Sequence, residues 1–264
     1  MRRSSPNCSY VAREQQKLVQ ALRALDCRAI VRVLEDFVTE ERARRLRTVF
    51  AQRLDAVTVL MDAPHDPHNG AAVIRSCDAF GVQRLHVIER AEGFLASNTV
   101  ARGSERWVDV RTYASSQEVI DVLRSTGHEL VATHPEGELV PEELSSIPKV
   151  CLVLGNERDG IHETLRPACT RRVRVPMRGF AESLNVSVTA AILLQHATHG
   201  RPGDIAAEEQ ELLHARALVL TVPHAPEILV AKGVFVGELE VEAEEAPAVR
   251  AAAPRRPRAS GRLV

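Results

Sequence analysis

Between residues 56 and 200, short apolar runs of strand length alternate with stretches of helix length, and this limits the fold more than any other feature of the chain. "AVTVLMDA" (56–63), "RLHVIE" (84–89), "ELVATH" (129–134) and "VCLVLG" (150–155) each predict a strand, and "VRVPM" (173–177) a shorter one. "NGAAVIRSCDAF" (69–80) predicts a helix closed by Gly81 at its C′ position. Ser115 and Glu118 have the spacing of a capping box for a helix ending near Gly127. "SLNVSVTAAILLQHA" (183–197) predicts another helix. Apolar strands separated by helices are joined by crossovers, so the predicted fold is α/β, a mostly parallel sheet with helices on both faces.

The flanks differ in character. Leu18, Leu22, Leu25, Ile30, Leu34 and Phe37 suit one or two amphipathic helices in an N-terminal extension, residues 1–38. Thr39 predicts an N-cap, with Glu40 and Glu41 in the first turn of a basic helix over 40–53. Arg42, Arg44, Arg45, Arg47 and Arg53 on that helix form either a solvated face or a phosphate-contacting one. Residues 201–236 predict a C-terminal helical extension interrupted by Pro223 and Pro226, and 237–264 a disordered tail.

A net charge of −1 hides this segregation: residues 1–55 carry twelve Lys/Arg against seven Asp/Glu, whereas 204–246 carry ten acids against two bases. Cys8, Cys27, Cys77, Cys151 and Cys169 are scattered without a C-x-x-C pair, so a zinc site or disulfide framework is not expected. No apolar run reaches membrane-spanning length and no signal-peptide core is present, which predicts a cytoplasmic protein. The glycine patterns of dinucleotide and P-loop sites are also missing.

In a parallel sheet, ligands bind where loops leave the carboxyl ends of strands. Three such loops are rich in Gly, Asn and ionisable residues: "APHDPHNGAAVIR" (63–75), "LGNERDGI" (154–161) and "VPMRGFAESLN" (175–185). In this order and spacing, "PHNGAAVIRSCDAFGV" (67–82), "LVLGNERDGI" (152–161) and "VPMRGFAESLNVSVTAAILL" (175–194) resemble the three motifs of the SPOUT superfamily of S-adenosylmethionine-dependent RNA methyltransferases. Within it they are similar to the TrmH-type tRNA ribose 2′-O-methyltransferases, whose usual target is guanosine 18 of the D-loop. The resemblance covers about residues 39–200. It implies a methyltransferase domain over 56–200 with a C-terminal deep trefoil knot, which general topology rules disfavour. It also implies a homodimer, tRNA as partner and S-adenosylmethionine as methyl donor.

On the matching positions, Arg75 would be the catalytic arginine, against the alternative of a surface arginine on an amphipathic helix. His68 lies seven residues earlier on the same face as a substrate contact, with small Ala72 and Ala79 beside it. Asn69 would orient Arg75 or the ribose, or else cap its helix. Glu157 would hold Asn69 or Arg75, or else serve as a first-turn carboxylate. Thr133, Gly155, Val175, Met177, Ser183, Leu184 and Asn185 would contact the donor, with Ser183 the strongest candidate for a helix cap instead. Arg42, Arg45 and Arg53 would meet tRNA phosphates. A guanidinium is almost always protonated, so Arg75 suits stabilisation of a developing oxyanion better than proton removal. Two rivals are a ribosomal RNA ribose methyltransferase and a catalytically silent RNA-binding protein on the same fold.

Overall fold

The computed structural model describes residues 8–89, 103–156 and 158–234. Its strands are β1 (Val57–Asp62), β2 (Arg84–Ile88), β3 (Asp109–Tyr113), β4 (Glu129–Thr133), β5 (Val150–Leu154) and β6 (Arg171–Val173). They form one sheet in the order β3-β2-β1-β5-β4-β6, with every pairing parallel. From β1 the chain builds outward to β2 and β3, then returns to fill the other side with β5, β4 and β6. The reversal falls between β1 and β5, where Met61 is level with Leu154.

Alternate residues of each strand serve opposite cores. Val57, Val59, Met61, Val150, Leu152 and Leu154 face one way, against α4 (Pro67–Ala79) and α6 (Val186–Thr198). Leu60, Cys151 and Val153 face the other, against Val119, Ile120 and Leu123 of α5 (Ser116–Ser125). The period-2 side-chain geometry of a strand therefore buries every position of β1, which is apolar except for Thr58 and Asp62.

The terminal helices build a third core. Leu22 of α1 (Cys8–Arg23) and Ile30 and Leu34 of α2 (Cys27–Leu34) pack with Leu218 of α7 (Ala207–Thr221) and Leu229 of α8 (Ala225–Ala231). The basic helix is α3 (Glu40–Ala51), with Thr39 Oγ1 accepting from Arg42 N at 3.2 Å as its cap. Buried Arg216 of α7 ion-pairs with Asp109 and donates to the Trp107 carbonyl at 3.2 Å, pinning the helical layer to the sheet edge. Among the described residues no helix is long and apolar enough to cross a membrane.

Several expectations change. Strand β3 has no counterpart among the expected strands, because "DVRTY" is short and less than half apolar. The fifth expected strand, 173–177, ends at Val173, since β4 stops at Thr133 and offers no further partner. Ser115 caps α5 through Glu118 N at 3.3 Å, and Gly81 and Gly127 follow their helices with φ of +76° and +78°. The tail over 237–264 lies outside the described residues.

Two buried histidines tie acid stability to the fold. His128 Nε2 donates to the Asp55 carbonyl at 2.8 Å, and burial lowers its pKa to about 4. His86 is hydrogen-bonded to the Tyr113 hydroxyl at 2.8 Å, and burial lowers it to about 3. The unfolded chain takes up these protons near pH 6.5, whereas the folded chain does not until pH about 4 or below. Stability is thus fully present above pH 6.5 and falls as pH drops, by up to about 1.4 kcal/mol per pH unit for each histidine. Urea melts at pH 7 and pH 5 are expected to show this loss, with a shallower slope in His128→Gln; an unchanged slope counts against the assignment.

Candidate active site

Helix α4 leaves β1 through a short loop, and its start is set by Asp66, whose Oδ1 accepts from His68 N at 2.8 Å. Pro67 follows in the first turn, where a missing N–H costs nothing. The helix buries Gly70, Ala71, Val73, Ile74 and Cys77 against the sheet. His68, Arg75 and Ala79 stand exposed on its outer face with half-buried Ala72 between them. Arg75 makes no hydrogen bond or ion pair among the described residues. It is a cation on an open face between two small residues.

Asn69 is not the cap of its helix; it is buried and turned toward the third loop. Its Oδ1 accepts from Asn185 Nδ2 at 3.0 Å. The same Asn185 accepts from Ser187 N at 2.8 Å and from Ser187 Oγ at 2.7 Å, and so caps α6. Asn185 therefore caps the helix, and the alternative reading of Ser183 as its cap does not hold, since Ser183 is exposed two residues before the cap. One asparagine pair joins the first turn of α4 to the loop after β6.

The loop after β5 closes on itself. Asn156 N donates to Gly160 O at 3.0 Å and Gly160 N returns to Asn156 O at 3.2 Å. Asn156 Oδ1 also accepts from Arg158 N and Asp159 N, an Asx turn across the tip. A Cβ on Gly155 would lie 2.4 Å from Gly160 C, so the close approach that needs glycine is made within the loop. Beyond it, buried Asp62 at the end of β1 accepts from His162 N at 2.7 Å. Glu157 lies outside the described residues.

The remaining donor-contact candidates surround this edge. Thr133 Oγ1 donates to the Val153 carbonyl at 3.1 Å across the ends of β4 and β5. Val175 packs partly against the α4-side core, while Met177 and Leu184 are exposed apolar side chains at 37% and 38%. An open cavity of about 900 Å³ is lined by Thr133, His134, Gly160, Ile161 and Arg166, but also by Cys169 of the α5-side core. Only Thr133 among the predicted contacts borders it, so it does not define the site.

Of the basic helix, Arg42, Arg44 and Arg45 are exposed, and Arg47 ion-pairs with Glu35. Arg53 does not belong with them. The helix stops at Ala51, and Arg53 is 1% exposed and ion-paired with Asp78 of α4. Its burial follows from the chain turning into β1, which draws its side chain beneath α4, so it cannot meet a phosphate.

The model of the SpoU rRNA methylase family matches residues 56–195, just over half of the chain. The chain belongs to the SpoU methylase family. The tRNA (guanosine(18)-2′-O)-methyltransferase of Escherichia coli is 32% identical over 161 residues, covering 61% of this chain and 70% of the relative. The enzyme of that name from Aquifex aeolicus is 33% identical over 172 residues, covering 64% and 81%. The 23S rRNA (guanosine-2′-O-)-methyltransferase RlmB of Coxiella burnetii is 30% identical, covering 62% and 67%. Among solved structures, the A. aeolicus TrmH/SpoU tRNA modifying enzyme superposes with a TM-score of 0.56 at 28% identity, over 75% of this chain and 98% of that one. The Streptomyces viridochromogenes SpoU methyltransferase AviRb, solved with AdoMet, superposes at 0.50 and 29% identity, over 55% and 60%.

In this SpoU-family chain two carboxylates matter that motif reading passed over. Asp66 carried a signal, since Asp before Pro at a helix start is a capping pattern. Asp62 carried none: the last residue of an apolar run gives no hint that its partner lies a hundred residues on.

Proposed function

We propose that this protein transfers a methyl group from S-adenosylmethionine to the ribose 2′-hydroxyl of a tRNA guanosine, with guanosine 18 of the D-loop as the target. The observation that carries the reading is Arg75, exposed on the open face of α4 and without a partner among the described residues, with that helix tied to the third loop by the Asn69–Asn185 bond. The relatives named as tRNA (guanosine(18)-2′-O)-methyltransferases support the substrate.

The residues fit the donor. Met177 and Leu184 supply exposed apolar surface for an adenine, Val175 a wall beside it, and Gly155 a loop without side-chain bulk. Thr133 flanks the same edge and Ser183 offers an exposed hydroxyl. Bound there, S-adenosylmethionine supplies a methyl on a positively charged sulfur. Arg75 then holds the ribose oxygen and stabilises negative charge as its proton leaves. Asn69 fixes the helix that carries Arg75, Glu157 bears on one of these two, and His68 meets the RNA at the same face.

In the same reading, residues 56–200 form the catalytic domain with a trefoil knot at its C-terminal part. Exposed Phe180 and Val188 beside the site support a homodimer. Arg42 and Arg45 on α3 supply phosphate contacts from residues 39–55, flanked by the helical extensions. Free thiols at Cys27, Cys77, Cys151 and Cys169 support a reducing, cytoplasmic setting.

The test is incubation with an unmodified tRNA transcript and methyl-labelled donor, with ribose methylation mapped by resistance to alkaline cleavage. Label on one D-loop guanosine supports the proposal. A second reading, ribosomal RNA as substrate, is favoured by the likeness to RlmB, and label on ribosomal RNA fragments but not on tRNA would select it.

A further inference from the structure

We infer that Asp62 is a positioning residue that sets residues 158–162, the second limb of the loop after β5, for the methyl donor, an inference that rests on the methyltransferase reading. Asp62 ends a strand buried at every position and is itself 1% exposed. A carboxylate there is costly unless its oxygens are held. Oδ2 accepts from His162 N at 2.7 Å.

The bond falls on a peptide gripped from both sides. Arg166 Nε donates to the Ile161 carbonyl at 2.6 Å, and Asp62 takes the N–H of the same Ile161–His162 peptide unit. With both polar ends held, the peptide plane has one orientation. The loop's first limb is fixed by β5, whose Leu154 pairs beside Met61, the neighbour of Asp62. Its second limb is fixed by Asp62. Between them the Asn156–Gly160 pair keeps the limbs in contact, at the spacing that only Gly155 permits.

The strand end serves a second loop as well. Ala63 has φ +50°, an uncommon conformation for a residue with a Cβ, and its N–H bonds the Ile88 carbonyl at 3.1 Å. That turn sends the chain toward α4 while the Asp62 side chain points to the β5 loop. One residue thereby relates the helix of Arg75 to the loop of Gly155.

The test is equilibrium dialysis of labelled S-adenosylmethionine against the full chain, well below each variant's melting midpoint. Asp62→Ala is expected to bind the donor about tenfold more weakly or worse, since a bond to a charged acceptor is lost. Asp62→Asn keeps an accepting oxygen and is expected to stay within about threefold of the parent. Hydrogen exchange of the His162 amide should be accelerated in the alanine variant alone. If Asp62→Ala does not fold, His162→Pro removes the N–H instead and carries the same expectation. Alanine-variant binding within twofold of the parent, or equal weakening by Asn and Ala, overturns the inference. A parent that binds no donor overturns the methyltransferase reading and this inference with it.

Discussion

Replacing Arg75 by alanine is expected to lower single-turnover methyl transfer by about 10²–10³-fold, the usual cost of removing one donor to a developing oxyanion. The same change is expected to leave donor affinity and the melting midpoint almost unmoved. Arg75 is exposed and makes no bond among the described residues, so its removal breaks nothing in the fold. Arg75→Lys keeps the charge but loses the planar fork, and an intermediate rate is expected. Rapid-quench transfer at saturating donor, with a thermal melt of each variant, checks all three. An alanine variant within threefold of the parent would remove Arg75 from the reaction.

The second large effect concerns the arginine that proved to be structural. Arg53 has a side chain 2% exposed, while its partner Asp78 is 27% exposed and also accepts from Ser104 Oγ at 3.0 Å. The pair is asymmetric, and its mutants should be too. Asp78→Ala strands a buried guanidinium and is expected to cost about 3–5 kcal/mol. For a chain of this size the melting midpoint should fall on the order of 10 °C. Arg53→Met removes the buried charge, fills most of its space, and leaves a carboxylate that water can reach; it should cost far less. The double variant should resemble Arg53→Met, because the penalty in Asp78→Ala belongs to the unpaired cation. A tRNA affinity that falls in Arg53→Met with no change in the Asp78→Ala melt would instead place Arg53 on the RNA surface.

The alternation of apolar runs and helices was legible because β1, β2, β4 and β5 are buried on both faces, which keeps them largely apolar, with hydrogen-bonded Thr58, Asp62 and His86 as buried exceptions. Gly81, Thr39 and Ser115 were legible for a similar reason, since caps act within a few residues of themselves. Strand β3 lies at the sheet edge with Arg111 and Thr112 outside the core, so its composition carried no strand signal. The motif loops could be found in sequence, and their residues named, because their chemistry is local.

What belonged to the tertiary structure was every choice between two roles of one residue. The chain alone could not say that Asn185 rather than Ser183 caps α6, because the choice depends on Asn69 lying opposite. Arg53 and Arg45 look alike in a basic stretch, and only the turn into β1 buries one and leaves the other in water. Asp62 and His162 meet only because β1 and β5 are neighbours in the sheet. Periodicity and capping are properties of short segments and can be read along the chain. Burial of a charge and the partner of a buried polar group depend on segments distant in sequence, and the packing of this sheet settles both.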